Sequence, residues 1–292
     1  MSGAKGLDVK RSDSTHLPGT VIRASGTLDG AWWASNGPTG GYLTRLALEI
    51  ACSTTATENV PARSVDLHVL RLARPGPFEI LVETVGQVVP GALVMMTFLQ
   101  EETFALALVS FSPERGSNDG GDETPPAAYP PHAYAELSKD ETTLPPVTAQ
   151  FRYRPTTNID GSELRPGWDA VWIEPLHISP IARASAAGAI DCWYPPNSMR
   201  SVREFLRGSS ELRDPPPTNL LGVQTLFPAR DAAYESMSWV LLANRLTTSV
   251  DGHYFEHSEI WSETGDLLVS SQLLRCNELR TASSQEAASD RS

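Results

Sequence analysis

Apolar positions along the chain fall into short runs whose spacing switches between helical and strand-like. In GYLTRLALEIAC, residues 41–52, Leu43, Leu46, Ala47 and Ile50 recur at helical spacing, which predicts a helix with one buried stripe. A strand near Thr27–Ala34 and the loop Ser35–Gly41 are expected before it. Four apolar runs follow, Val65–Leu72, Phe78–Val88, Ala92–Gln100 and Phe104–Phe111. Pro75–Gly76–Pro77, Pro90–Gly91 and Glu101–Glu102–Thr103 separate them and act as turn signals. One helix followed by an antiparallel meander predicts an α+β domain, with the helix packed on one sheet face.

The second part of the chain repeats that order. Ser179–Trp193 has helical apolar spacing and opens with Ser-Pro, an N-terminal helix signal. Strand-like runs follow at Leu220–Phe227, Trp239–Val250, Tyr254–Ser262 and Leu267–Arg275, with turns at Asp251–Gly252 and Thr264–Gly265. By order, DLHVLRLARPG falls beside GVQTLFPARDA, and VVPGALVMMTFLQEE beside SVDGHYFEHSEIWSE. The repeat favours duplication over two unrelated domains. Residues 1–17, 113–147 and 277–292 are polar or rich in proline and charge. The expected organisation is a first domain over 18–112, a Pro-rich linker over 113–147, a second domain over 148–276 and a tail over 277–292. Limited proteolysis is expected to cut near residues 114–124.

Charge narrows the function. The 292 residues carry a net charge of −12, from 35 Asp+Glu against 23 Lys+Arg, with no basic cluster. That balance disfavours nucleic acid and anionic membrane as partners, and an anionic ligand such as coenzyme A would need local positive groups or helix N-termini. Cys52, Cys192 and Cys276 are too few and too scattered for a disulfide framework or a paired-thiol metal site. His253 and His257 lie four apart in a strand-like run, where helical ligand geometry does not apply, so no metal and no cofactor are expected. The N-terminus has no apolar core of a secretory signal, no run reaches a membrane span, and a reducing cytoplasm is the expected location.

The loop and helix NGPTGGYLTRLALEIA resembles the opening of TesB-like acyl-CoA thioesterases, which are double hotdog proteins. AIDCWYPP and WVLLANRLTTSVDGHYFEHSEIWSETGDLLVSSQLLRC resemble that family's second helix end and last three strands, so the likeness covers about residues 20–276. The resemblance implies a double hotdog fold, two helix-plus-antiparallel-sheet domains in one chain. It also implies thioester hydrolysis by a water that a carboxylate and polar side chains orient, with helix N–H groups stabilising the oxyanion. In the family pattern a carboxylate lies on the first strand of the second half, a threonine on the next and a glutamine on the last. Thr247 falls at the threonine, Gly222 at the carboxylate and Leu273 at the glutamine, with Gln272 one residue early. Because strand side chains alternate faces, Gln272 reaches the site only if a bulge resets the phase.

Two readings stand for each candidate. Gly40 and Gly41 permit close approach of a ligand to helix N–H donors, or else tight packing against the other half. Asn36 in the same loop orients a carbonyl or makes an Asx-turn. Asp191, between apolar neighbours at the second helix end, is the expected replacement base; the alternative is a hydrogen bond to a neighbouring strand. Gln224 shares a strand face with Gly222 and is either a substrate contact or solvent-facing. His257 with Glu259, and Glu256 with Ser258, read as solvated strand faces, and Trp32 and Trp33 as core or an acyl-pocket wall.

The catalytic set expected is thus Asp191, Thr247 and Gln272, with Asn36, Gly40, Gly41 and Gln224 binding substrate. The expected function is hydrolysis of an acyl thioester on coenzyme A or a carrier protein. Two alternatives are a repurposed enzyme of secondary metabolism that dehydrates, rearranges or cyclises a hydrophobic substrate, and a non-catalytic binding protein. Homo-oligomers of such paired halves are an expectation from the family.

Overall fold

A computed structural model describes residues 21–34, 37–54, 60–87, 91–113, 125–126, 128, 130–137, 145–156, 168–192, 218–235, 237–250 and 253–277. The first half contains β1 (Val21–Leu28), α1 (Gly40–Thr54), β2 (Ala62–Val69), β3 (Gly76–Gln87), β4 (Ala92–Leu99) and β5 (Thr103–Phe111). The second contains β6 (Phe151–Pro155), β7 (Asp169–Pro175), α2 (Ala182–Gly188), β8 (Thr218–Leu226), α3 (Asp231–Glu235), β9 (Val240–Val250), β10 (His253–Ser262) and β11 (Leu267–Asn277).

The strands form one antiparallel sheet in the order β1-β3-β4-β5-β2-β8-β11-β10-β9-β7-β6. In the first half the order is β1-β3-β4-β5-β2; replacing each strand by its counterpart gives β7-β9-β10-β11-β8, the order of the second. The halves meet where β2 pairs with β8, from Ser64 opposite Leu226 to His68 opposite Gly222. This is a double hotdog, each half wrapping its sheet around one helix. The repeated strand order carries the duplication inferred from the sequence, and β6 is an added edge strand beside β7.

The core fills the face that holds the helices. Leu43, Ala47, Ile50 and Ala51 of α1 are buried against Val65, Ile80, Val94, Met96 and Val109 of the first sheet. α2 brings Ala184, Ala186 and Ala187 onto the second, and small side chains let the two helices approach closely. Gly41 shows how closely. A Cβ there would stand 2.1 Å from the carbonyl oxygen of Ile190 and 2.7 Å from that of Ala187.

Several expectations shift. The first strand runs over Val21–Leu28, before the expected Thr27–Ala34, because Gly30–Trp32 forms a 3-10 turn capped by Asp29, whose Oδ1 accepts from the Ala31 N–H at 2.9 Å. α2 is only seven residues and ends at Gly188, short of Trp193. β6 and β7 lie where no strand was expected. In β6, Phe151 and Tyr153 turn inward while Arg152 and Arg154 turn outward, Arg152 pairing with Glu136 and Glu174. His257 and Glu259 are not solvated: Glu259 is 3% exposed and accepts from the Trp261 indole N–H at 3.1 Å. The reason is a second layer on the outer sheet face, where Trp172, Leu241 and Trp261 pack with Ala128 and Tyr134 from the segment that joins the halves.

Candidate active site

The site begins where α2 stops. Past Gly188 the chain turns, and Asp191 takes a left-handed backbone with φ 62°, a conformation asparagine and aspartate tolerate better than other side chains. That turn points its carboxylate across the seam between the halves. Oδ2 accepts from the Gly40 N–H at the start of α1 at 3.0 Å, and Oδ1 accepts from Nη2 of Arg275 on β11. The same guanidinium donates through Nε to Glu256 Oε2 on β10 at 3.1 Å. Asp191 and Arg275 are both 3% exposed, so one arginine is clamped between two carboxylates inside the protein.

Charge does not balance in this cluster, and Glu256 absorbs the excess. Burial pushes its carboxyl above the ordinary carboxylate range; Arg275 pulls it down, while the negative charges of Asp191 and Asp169 push it further up. The neighbouring thiol is inert. Cys192 is fully buried, and burial drives its thiol well above the usual range, which removes it as a nucleophile.

The other expected residues divide between two faces. Gly40 and Gly41 join Asp191, but as packing elements whose missing side chains admit the second half: a Cβ on Gly40 would stand 2.6 Å from Val223 Cγ2. Helix donors expected to face a ligand are engaged, Gly40 N–H with Asp191 and Tyr42 N–H with the Thr39 hydroxyl at 3.2 Å. Gln272 and Gln224 are exposed and lie directly opposite each other on β11 and β8, on the outer face away from Asp191. Gly222 shares that outer face, so a carboxylate there would not reach the Asp191 cluster. Thr247 is the extra residue of a bulge in β9, since Thr248 pairs with Phe255 and Leu246 with Glu256. Its side chain, and Asn36 altogether, lie outside the described residues.

A bulge also decides the place of Gln272. Trp261 pairs with Leu267 and Ile260 with Val269, leaving Leu268 as an extra residue. Both Leu268 and Val269 are buried in the main core, so the alternation resets just before Gln272. Ser271, Leu273 and Arg275 then face inward and Gln272 outward. Sequence reading did not single out Arg275; the available signal was that it is the one charged residue of β11, with Asp191 and Glu256 as carboxylate partners elsewhere in the chain.

No family model and no curated protein matches the chain by sequence. Solved structures match it over nearly its full length. A conserved hot dog fold protein of unknown function from Alicyclobacillus acidocaldarius superposes with a TM-score of 0.75 at 18% identity, covering 95% of this chain and 97% of its own. The acyl-CoA thioesterase II TesB2 of Mycobacterium marinum gives 0.66 at 15% identity, covering 89% and 94%. The TesB protein of Mycobacterium avium subsp. paratuberculosis gives 0.63 at 17%, covering 87% and 92%. The chain therefore has the double hotdog fold that TesB-like thioesterases have, across both of its halves.

Proposed function

We propose that the protein hydrolyses an acyl thioester, with Asp191 as the base. The observation that carries this reading is a buried carboxylate held at the seam of the two halves by a backbone N–H of one half and a strand arginine of the other. Similarity to the fold of TesB-like thioesterases supplies the reaction class. Water would add to the thioester carbonyl carbon while Asp191 takes one of its protons. Collapse of the tetrahedral intermediate breaks the C–S bond, and the departing thiolate receives that proton. Arg275 keeps the Asp191 carboxylate oriented, and Thr247, at the β9 bulge in register with the Glu256 region, is the proposed second contact to the water. Gln272, on the other face, has no part in this geometry, and Gly222 is not a vacancy in it.

The proposed substrate is a small-molecule acyl thioester on coenzyme A or a carrier protein, handled in the cytoplasm, and the proposed assembly is a homo-oligomer. No described helix is long and apolar enough to cross a membrane. Release of free thiol from a panel of short, long and aromatic acyl-CoAs tests the reaction, and no release from any of them overturns it. One observation favours the second reading, a repurposed scaffold for dehydration or rearrangement. Both oxygens of Asp191 already hold a donor, and Glu256 beside it retains a proton above the ordinary range, which suits proton shuttling without water. Consumption of acyl-CoA without thiol release would select that alternative.

A further inference from the structure

One row of side chains crosses the inner face of the second sheet with a composition unlike the rows around it. Asp169 on β7 is in register with Asn244 on β9, Asn244 with Ser258 on β10, Ser258 with Ser271 on β11, and Ser271 with Thr225 on β8. The row next to it, Val171, Leu242, Ile260 and Val269, is apolar and belongs to the core. On its other side lie Glu256 and Leu273, and then Arg275, which holds Asp191. Five polar residues in a single row on a core-facing surface are not packing.

Two of the five, at the β8 end of the row, are satisfied. The Thr225 and Ser271 hydroxyls lie 3.1 Å apart, and Ser271 also donates to the Gln224 carbonyl at 3.1 Å. Asn244 and Ser258 in its middle are not. Asn244 and Ser258 are each 1% exposed, yet neither nitrogen nor oxygen of the Asn244 amide, nor the Ser258 hydroxyl, has a hydrogen-bond partner among the described residues. A buried polar group left unpaired is a free-energy loss that folded proteins avoid unless something else fills it. Two such side chains side by side supply three unfilled groups: an amide donor, an amide acceptor and a hydroxyl. Ser258 lies two residues, roughly 7 Å along the strand, from Glu256 in the carboxylate–arginine cluster.

We propose that Asn244 and Ser258 form a subsite that takes an oxygen substituent, a hydroxyl or keto group, on the acyl chain of the substrate. This inference rests on the hydrolase reading only in placing the thioester end at Asp191. An amide and a hydroxyl together donate to and accept from one oxygen group, whereas an unsubstituted methylene chain would leave all three groups unpaired. Apolar pockets tolerate a missing or added methylene, but a pocket built to hydrogen-bond an oxygen rejects a substrate that lacks one. The enzyme would thus discriminate on chain oxidation more sharply than on chain length.

Two measurements test it on the full chain. Calorimetric binding of non-hydrolysable thioether analogues of acyl-CoA compares hydroxy- or keto-substituted chains with unsubstituted chains of equal length. The second measurement is kcat/KM for the corresponding thioesters. The expected result is a preference of at least tenfold for a substituted chain at one or more positions, abolished in Asn244→Leu and weakened in Ser258→Ala. Should Asn244→Leu fail to fold, the ratio in Ser258→Ala alone decides. Equal binding of substituted and unsubstituted analogues overturns the subsite, as does a preference that both variants retain; either shows that internal water satisfies these groups. Selective binding of the substituted analogue with no turnover upholds the subsite and overturns the hydrolase reading instead.

Discussion

Replacing Asp191 by asparagine separates what the carboxylate does for folding from what it does for chemistry. In the native protein its two oxygens accept from the Gly40 N–H and from Arg275, and all three groups are buried. An asparagine can adopt the left-handed backbone that this position requires, so the turn itself survives. Its single oxygen can serve one donor, and its NH2 then confronts the other. Hydrogen bonds to charged groups contribute about 1.5–3 kcal/mol each. Breaking a buried ion pair outright costs about 3–5 kcal/mol, but Glu256 still neutralises Arg275 here, so the full penalty is not reached. The expected loss is about 2–3 kcal/mol, which lowers Tm by about 4–12 °C at the usual scale for chains of 150–250 residues. The substitution is expected to act on stability as well as turnover because Asp191 is also an ion-pair partner. Turnover of acyl-CoA by the folded variant should fall about 10²–10⁴-fold, the scale of a general base. Thermal melts of Asp191→Asn, Arg275→Met and the double variant form a cycle whose coupling isolates the pair. Additive effects would refute the ion pair, and a turnover within twofold of the parent on a folded sample would refute Asp191 as the base.

Further outcomes follow from the same geometry. Gly41→Ala drives a methyl into the Ile190 and Ala187 carbonyls, so its loss of stability should match or exceed the usual 1–3 kcal/mol of overpacking, measured by urea titration. Gly222→Asp puts a carboxylate on the outer face, its Cβ 3.1 Å from the Leu67 carbonyl oxygen, and should not raise thioester turnover; a gain would show that the inner-face assignment is wrong. Gln272→Ala and Gln224→Ala, both exposed, should leave kcat/KM within about twofold, the scale of surface changes below about 0.5 kcal/mol. Because the Glu256 carboxyl is raised in the folded state, the stability it contributes is present below the unfolded glutamate value of roughly 4.3 and is lost as pH rises through the folded value. Chemical denaturation of Glu256→Gln from pH 4 upward should therefore lack that decline, and a decline as steep as the parent's would refute the assignment.

Local pattern was enough to place most of the elements. The helical spacing of Leu43, Leu46, Ala47 and Ile50 marked α1, and the alternating runs with their Gly and Pro turns marked β2–β5 and β8–β11. These signals are legible because burial of one face leaves a period in the sequence. Repetition of the order then identified two halves of one architecture, and a lone aspartate in an apolar helix end was enough to single out Asp191. Tertiary structure decided the rest. β6 and β7 escaped notice because they are short, five and seven residues, and each gives too few alternating positions to stand out, while the expected solvated face of β10 is covered by a segment more than a hundred residues earlier in the chain. Which side chains share the site depended on one bulge at Leu268 and Val269, which turned Gln272 out and Arg275 in. A bulge is set by cross-strand hydrogen bonding, so the residues of the bulged strand alone do not encode it. The Asp191–Arg275–Glu256 cluster likewise spans a helix end and two strands with up to 84 residues between partners, a meeting that only the closed sheet and the packed seam could bring about.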